Sequence, residues 1–271
     1  MITRRDVGCV VVLFDPNDSV LGNIRHYREI VGEVILVDNS EKDNSIMFSG
    51  WDYIPLCKNT GIAHALNEGI VRIHSEYIIT MDQDSVLTAD IVDAYVDFLN
   101  TSDNSDIGAL TCKYNTDRHC ERKSEGIIDV RLSMQSGTLF KKKVFEQIGY
   151  FYEALFIEAV DLEYFLRMKK NGLRLVRVNE AVLDHHPAFT VEKKFGLFKL
   201  KYGVASPVRY YYQARNLLWT AKKYHSAALY KKLAVKWLKI VLLFNDKKKY
   251  LVHFRKGLYD ARHGRLGKAL V

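Results

Sequence analysis

The sequence predicts an α/β protein built on a doubly wound, mostly parallel sheet with an appended C-terminal helical segment. In the first part of the chain, short apolar runs typical of buried strands alternate with segments of helical periodicity. From about residue 207 onward only helical periodicity is found. In sheets of this kind, ligands bind beyond the carboxyl ends of the strands.

The first strand is predicted over residues 7–14, a continuous apolar run typical of a strand covered on both faces. The turn Asp15-Pro16-Asn17-Asp18 ends it and offers helix caps. Further strands are predicted over 33–37, 51–57 and 77–81, and a helix over 63–74. Asp38 follows the second strand and Asp82-Gln83-Asp84 follows the fourth, so both acidic turns fall at the edge where ligands bind.

The remaining elements follow from the same patterns. Strands are predicted over 107–112, 127–132, 137–140, 173–178 and 181–183, and helices over 91–99, 142–148 and 161–170. A later helix is amphipathic. Its apolar arc contains Leu229, Tyr230, Leu233, Trp237, Ile240, Val241 and Phe244, and a basic face outside the arc contains Lys231, Lys232, Lys236 and Lys239.

Charge divides the chain unevenly. Residues 190–271 hold twenty Lys and Arg against three acidic residues, whereas the rest of the chain is net acidic. We expect the basic part to meet something anionic.

The compartment is predicted from two kinds of feature. No apolar run approaches the length that spans a bilayer, and the amino-terminal residues lack a signal-peptide core. The cysteines show no CxxC spacing, and Cys9 and Cys57 lie inside predicted strands. These features predict a cytoplasmic protein with reduced thiols.

Asp82 and Asp84 place two carboxylates two residues apart just past a buried strand. Both can converge on one divalent cation, which prefers oxygen ligands and keeps positions open for phosphate oxygens. The tripeptide alone is commonplace, since helix caps and solvated turns produce it often. Its position on the sheet favours the metal site.

Three other segments could carry chemistry, each beside a plain structural alternative. The segment 59–70 opens a helix with small residues, which suits close approach of a ligand or simply tight packing. Asp161 could be a general base for a sugar hydroxyl or a helix cap. His185 or His186 could complete a metal site or lie unused at the surface.

Together these segments resemble a family 2 glycosyltransferase with the GT-A fold, in its rhamnosyltransferase-like branch. The matching pieces stand in the family's order over residues 7–219. They read VVVLFDP, EVILVDNS, NTGIAHALNEGI, YIITMDQDS, SGTLF, FIEAVDLEYFLR, LDHHPA and SPVRYYYQARNLLW. Eight ordered segments are far less easily explained by chance than any single motif.

The resemblance implies a role for individual residues. The catalytic base would be Asp161, and the metal, Mg or Mn, would be held by Asp82, Asp84 and His185 rather than His186. Donor binding is expected from Asp38, Asn59, Gly61, Asn67 and Asp82. Acceptor or phosphate contacts are expected from Gly137, Glu158, Glu163, Arg209, Tyr211 and Arg215. The acidic residue that usually precedes the base is Val160 here, and Glu158 could substitute for it.

The expected reaction is inverting transfer of a sugar, rhamnose from dTDP-rhamnose, to a hydroxyl of a surface polysaccharide or lipid-linked glycan. Galactofuranose, glucose or galactose from another dTDP or UDP donor, and a non-catalytic nucleotide-sugar-binding relative, are alternatives. A nucleic-acid partner is not expected, because the basic charge is patchy and no recognition motif is present.

Residues 1–205 are expected to form the catalytic domain, with a nucleotide-sugar half to about 115 and an acceptor half over 116–205. Residues 206–271 would form basic amphipathic helices. These could lie on the anionic inner face of the cell membrane or pack on the catalytic domain with a solvated basic face.

Overall fold

The computed structural model describes residues 1–116, 124–185, 190–195 and 198–269. Two sheets are present in this part of the chain. The strands are β1 (Val7–Leu13), β2 (Glu33–Asp38), β3 (Asp52–Pro55), β4 (Tyr77–Asp82), β5 (Ile107–Asn115), β6 (Ile127–Val130), β7 (Thr138–Lys141), β8 (Arg174–Asp184), β9 (Thr190–Phe195) and β10 (Phe198–Gly203). The first eight form the central sheet, and β9 and β10 form a separate antiparallel pair.

Nine α-helices accompany the sheets within the described residues. They are α1 (Asp18–Ile24), α2 (Tyr27–Ile30), α3 (Ile62–Arg72), α4 (Ala89–Thr101), α5 (Lys142–Ile148), α6 (Val160–Lys170), α7 (Pro207–Lys223), α8 (Ala227–Leu243) and α9 (Lys247–Arg262). The predicted strands over 173–178 and 181–183 form one continuous strand, β8.

The central sheet runs in the order β3-β2-β1-β4-β7-β5-β8-β6, and four of its seven pairings are parallel. The continuous apolar run of β1 is buried throughout, because β2 and β4 flank it and helices cover both faces. In its register Leu13 pairs with Asp38 and Val12 with Asp82. The two acidic turns therefore lie at one edge of the sheet, as the sequence predicts.

Helices pack on both faces, so the doubly wound prediction is confirmed. Side chains of α1, α2 and α4 form one core with the sheet, and side chains of α3, α5 and α6 form the other. Helix α3 lies unusually close to the sheet at Gly69, where a Cβ atom would stand 2.3 Å from a methyl of Val10. Tight packing therefore accounts for part of the small-residue pattern in segment 59–70.

The C-terminal helices and the segment after them pack back on the α/β part of the chain. Helix α7 packs along α9, and the segment after α9 crosses to the loop before α3. Lys268 donates a hydrogen bond from Nζ to the carbonyl of Asn59 at 3.1 Å, and the Ala269 amide donates to the Tyr212 hydroxyl at 2.9 Å. Residues separated by about two hundred positions thus meet at one loop.

Helix α8 is oriented differently from the prediction. Leu229, Ile240 and the following Phe244 are buried, as the apolar arc predicts. The proposed basic face, however, is an outer face only in part: Lys231 and Lys232 are exposed, whereas Lys236 and Lys239 are half-buried. Lys236 donates to Gln213 at 2.8 Å, and Lys239 donates to the Gly203 carbonyl. These lysines point toward the protein because the polar atoms that accept from them lie on α7 and at the end of β10.

One cysteine prediction is wrong. Cys9 is buried in β1, but Cys57 lies beyond the end of β3, is exposed, and has a φ of +51°. The predicted strand over 51–57 is shorter because the chain turns after Pro55. Across the described ranges, no helix combines the length and the apolar character that crossing a bilayer requires.

Candidate active site

The turn Asp82-Gln83-Asp84 is held rigidly at the end of β4. Gln83 accepts from the Phe14 amide at 2.8 Å and donates to the Phe14 carbonyl at 2.9 Å, which ties the turn to the end of β1. Asp82 accepts from Gln135 Nε2 at 2.6 Å. Burial, with the negative charge of Asp84 beside it, raises the pKa of Asp82 to about 7. This edge of the sheet therefore concentrates negative charge.

His185 follows β8 and reaches the same turn. It forms an isolated β-bridge with Ser85, and its Nδ1 lies 2.8 Å from the Ser85 hydroxyl and 3.8 Å from Asp84 Oδ1. Two mutually repelling carboxylates with an imidazole beside one of them are a donor set that fits a divalent cation. No group of three Asp, Glu, His or Cys side chains is already assembled around a common point in the described ranges. His186 lies outside those ranges.

Asp161 begins the first turn of α6 after a strained loop. Phe156, Glu158 and Ala159 all have positive φ, at +64°, +68° and +59°. Left-handed backbone at non-glycine residues costs free energy and is found at sites where geometry is held for function. The loop turns the Asp161 side chain into a cavity of about 480 Å³. Burial raises the pKa of Asp161 to about 6.

The charges of Asp161 and Arg209 both act on Asp82. The charge of Asp161 contributes to the raised pKa of Asp82, and the charge of Arg209 opposes that rise. Arg209 also pairs through Nε with Glu158 Oε1 at 2.6 Å, and Gln213 donates to the same oxygen at 2.9 Å. Arg209 of α7 is thus bonded to Glu158, which lines the cavity beside Asp161 of α6.

Lysines of α8 complete the cavity, and the sequence analysis missed them. Lys232 and Lys236 line it together with Glu158 and Asp161. The positive charge of Lys232 lowers the pKa of Asp161 against the effect of burial. Their spacing of four residues, which places both on one side of the helix, is the signal that could have identified them.

The loops beyond β2 and before α3 are joined by side-chain hydrogen bonds. Asp38 accepts from the Tyr53 hydroxyl at 2.7 Å and from Asn44 Nδ2 at 2.8 Å. Asn39 accepts from the Thr60 amide at 2.7 Å. These loops form a polar floor beside the cleft. Asn44 and Tyr53 were not singled out from the sequence, because the fold brings them to Asp38.

Gly61 lies at the other end of that floor. Asn59 accepts from the Gly61 amide at 3.1 Å. Gly61 has a φ of +91°, and a Cβ atom there would stand 2.5 Å from the Phe156 carbonyl. The position therefore requires glycine for its conformation and for close contact with the strained loop.

Two residues expected at the donor or acceptor form hydrogen bonds within the protein. Asn67 is buried, donates to the carbonyl of Phe151 at 2.9 Å and accepts from its amide at 3.0 Å. The Gly137 amide donates to Thr80, and its carbonyl accepts from the Tyr95 hydroxyl. These polar groups are therefore used inside the protein, and the roles of Asn67 in the donor pocket and of Gly137 at the acceptor stay predictions.

Glu163 is likewise in the interior. It is fully buried and bonded by Arg167 at 2.8 Å, Lys223 at 2.9 Å and the Tyr224 hydroxyl at 2.6 Å. These partners hold the pKa of Glu163 below its usual value although burial opposes them. Glu163 thus joins α6 to α7, and its predicted contact with an acceptor stays a prediction.

Tyr211 and Arg215 also lie away from the cleft. The Tyr211 hydroxyl donates to Asp260 at 2.8 Å. Arg215 is 1% exposed, and its guanidinium donates to the carbonyls of Gly267 at 2.7 Å and Leu155 at 3.1 Å. These side chains hold α7 to the C-terminal segment, and their predicted contact with phosphate stays a prediction. Of the predicted α7 contacts, Arg209 alone lies at the site.

The sheet order, the acidic turn after β4 and the helices on both faces define a glycosyltransferase of the GT-A fold. The chain belongs to glycosyl transferase family 2, whose family model matches residues 18–159, just over half of its length. A dTDP-rhamnosyl transferase, RfbF of Shigella flexneri, is 26% identical over 243 residues, with 81% of each chain covered.

Two solved structures share the fold at low sequence identity. The mannosyltransferase PcManGT from Pyrobaculum calidifontis, in complex with GDP-Man and Mn²⁺, matches with a TM-score of 0.57 and 14% identity, covering 97% of this chain and 76% of that one. S. aureus TarS 1-349, in complex with UDP-GlcNAc, matches with a TM-score of 0.58 and 12% identity, covering 96% and 92%.

Proposed function

We propose that the protein transfers rhamnose from dTDP-rhamnose, with inversion, to a hydroxyl of a surface polysaccharide or lipid-linked glycan. The observation that carries the proposal is the place of Asp161, which follows a loop of strained backbone and lines the cavity together with Glu158. The acidic turn after β4, with His185 beside Asp84, supplies the carboxylates of the donor side in this proposal. The similarity to a dTDP-rhamnosyl transferase supports rhamnose as the sugar.

Asp161 is the base in this proposal. The acceptor oxygen forms a bond to the anomeric carbon while the bond from that carbon to the diphosphate breaks, and the acceptor proton passes to the Asp161 carboxylate. A pKa of about 6 suits this task, because the group is ionised near neutral pH yet more basic than an ordinary aspartate. Glu158 stands in for the acid missing at Val160 by adding negative charge beside the base.

Arg209 stabilises the departing diphosphate in this scheme. Its guanidinium bonds through Nε to Glu158, which lines the cavity beside Asp161, and its positive charge lowers the pKa of Asp82. A bound Mg²⁺ or Mn²⁺ would neutralise phosphate charge, with Asp82, Asp84 and His185 to hold it. The neighbour solved with GDP-Man and Mn²⁺ supports a divalent cation.

The nucleotide would lie over the polar floor formed by the loops that carry Asp38, Asn59 and Gly61. Hydrogen bonds from Tyr53 and Asn44 order Asp38, and this fixes the loop that would contact the ribose and the nucleobase of the donor. Residues 1–205 form the catalytic domain in this proposal, with the nucleotide-sugar half ending at about 115. Helices α7 and α8 complete the site, since Arg209 comes from α7 and Lys232 from α8.

The basic charge of the C-terminal part supports the proposed acceptor and the proposed place of the enzyme in the cell. The excess of Lys and Arg over residues 190–271 favours a cytoplasmic enzyme at the anionic inner face of the cell membrane, where a lipid-linked glycan would be met.

A donor screen tests the proposed function. The protein is incubated with Mn²⁺ and dTDP-rhamnose, UDP-galactofuranose, UDP-glucose or UDP-galactose, and binding is measured by calorimetry. We expect dTDP-rhamnose to bind at least tenfold more tightly than the UDP sugars. Preference for a UDP sugar would replace rhamnose with that sugar. Equal binding of all four would remove the specificity proposed.

A further inference from the structure

The outward side of α8 is apolar and exposed. Its apolar outer face consists of Tyr230, Val235, Trp237, Leu238 and Leu242, which remain 43%, 55%, 47%, 48% and 57% exposed. At 100° per residue these positions share one side of the helix. Globular proteins seldom leave a contiguous patch of large apolar side chains in water unless it meets a partner.

The opposite side of α8 already has its own contacts. Leu229 and Ile240 are buried, and Lys232 and Lys236 line the cavity beside Asp161. Helix α8 is therefore apolar on two sides, and one of them packs on the protein. In the part of the chain that the structure describes, no element covers the apolar outer face.

Basic residues surround this face. Lys231 lies within it, and Lys247, Lys248 and Lys249 are exposed just beyond the end of the helix. Helix α8 contains no acidic residue, and the neighbouring Asp246 caps α9 through the Lys249 amide. An apolar strip bordered by lysines complements a surface that is apolar beneath and anionic above. In a dimer formed through this face, by contrast, lysines of one copy would lie opposite lysines of the other and repel them.

We propose that the apolar outer face of α8 inserts into the interfacial layer of an anionic lipid bilayer, with the helix parallel to the membrane plane. Trp237 enters the boundary between headgroups and acyl chains, where its amphipathic ring is favoured. Lys231 and Lys247 to Lys249 contact lipid phosphates. The contact is made by the apolar side of α8, not by the lysines that point toward the cavity.

Insertion places the cavity beside the lipid surface. Lys232 and Lys236 stand on the opposite side of the same helix, so a glycan attached to a lipid could reach Asp161 without leaving the membrane. This orientation of the acceptor rests on the proposed function. The lipid contact itself does not, because it depends only on α8 and its flanking charges.

Vesicle binding tests the contact. The full chain is sedimented with vesicles of phosphatidylcholine containing 30% phosphatidylglycerol, with pure phosphatidylcholine for comparison. Trp237→Gln and Leu242→Gln should each weaken partition by about tenfold, the loss expected when one large apolar side chain no longer leaves water. The matched control is Val71→Gln, which changes a side chain 60% exposed on α3 and should bind as the wild type does.

Depth and self-association complete the test. Lipids brominated near the headgroup should quench the fluorescence of the wild type more than that of Trp237→Phe. Equal partition of Trp237→Gln, Leu242→Gln and the wild type would overturn the proposal. Loss of vesicle binding in Lys232→Gln and Lys236→Gln, with binding kept in the apolar variants, would also overturn the proposal. So would a dimer, seen by sedimentation velocity, that Trp237→Gln dissociates. Donor binding is measured without vesicles, so the test of the proposed function does not depend on the test of the lipid contact.

Discussion

The Arg209 guanidinium donates to the Glu158 carboxylate at 2.6 Å, and this ion pair joins helix α7 to the left-handed loop that precedes Asp161. The loop is strained at Phe156, Glu158 and Ala159, so it needs contacts from outside itself to keep its shape. Helix α7 supplies them. The position of the proposed base thus depends on a residue about fifty positions later in the chain.

Asp161→Asn should leave a folded protein that binds donor but transfers sugar about 10²- to 10⁴-fold more slowly, because an amide cannot accept the acceptor proton. Single-turnover transfer from dTDP-rhamnose measures this. Asp97→Asn, an exposed carboxylate on α4, is the matched control and should keep full activity. A rate for Asp161→Asn near that of the control would remove Asp161 from the role of base.

Transfer should lose activity as the pH falls through about 6. Asp161 has its pKa raised to about 6 by burial, and the base acts only when it is ionised. The rate constant should therefore be constant above pH 7 and drop tenfold for each pH unit below 6. Measured from pH 5 to 8.5 under single-turnover conditions, a profile that is flat down to pH 5 would contradict the assignment.

The same shift predicts an effect on stability. For a carboxylate whose folded pKa lies above its unfolded value of about 4, the free energy of unfolding falls as the pH rises from about 4 to 6 and stays reduced above that. Asp161→Asn should therefore be more stable than the wild type at pH 7.5, by on the order of 1 kcal/mol, and the difference should vanish near pH 4. Urea unfolding at both pH values tests it.

Arg209→Gln should lower the rate of transfer by about 10²-fold, because it removes positive charge from the departing diphosphate and frees Glu158. Arg209→Lys keeps the charge and should recover part of the rate. Donor affinity and the transfer rate are measured for both. If Arg209→Gln only lowers the melting temperature and leaves the rate intact, the residue acts in folding alone.

Arg215→Met should destabilise the protein by about 3 kcal/mol, since it removes a buried guanidinium that serves the carbonyls of Leu155 and Gly267. Below its melting temperature the variant should keep the donor affinity of the wild type, because the structure gives this side chain no exposure to a ligand. Calorimetry and thermal unfolding together separate the two effects. A large loss of donor affinity in the folded variant would support the phosphate contact expected from the sequence.

Much of the sheet could be predicted from the sequence, because its signals are local. The apolar run of β1 and the acidic residues that end β2 and β4 determine where the binding edge lies. Helix α5 begins and ends where its pattern predicts. The antiparallel insertion of β7 between β4 and β5 could not be foreseen, since strand order depends on pairing between distant residues.

What the sequence could not predict concerns side chains whose role depends on what faces them. Asn67 and Arg215 have the polarity of ligand-binding residues, but distant carbonyls satisfy that polarity. A helical wheel identified the apolar arc of α8 but not which side of the helix would meet the protein. The side that meets the protein carries Lys236 and Lys239, whose hydrogen bonds to Gln213 and to the Gly203 carbonyl depend on the tertiary fold.

The hydrogen bond from Lys268 to Asn59 has a consequence for biosynthesis. The two residues are 209 positions apart, so the loop at Asn59 leaves the ribosome long before the segment that will brace it. A nascent chain can form β1 to β4 early, yet the contact made by Lys268 can form only after about two hundred further residues have been synthesised. The loop at Asn59 should therefore gain protection from proteolysis late, well after the strands that precede it.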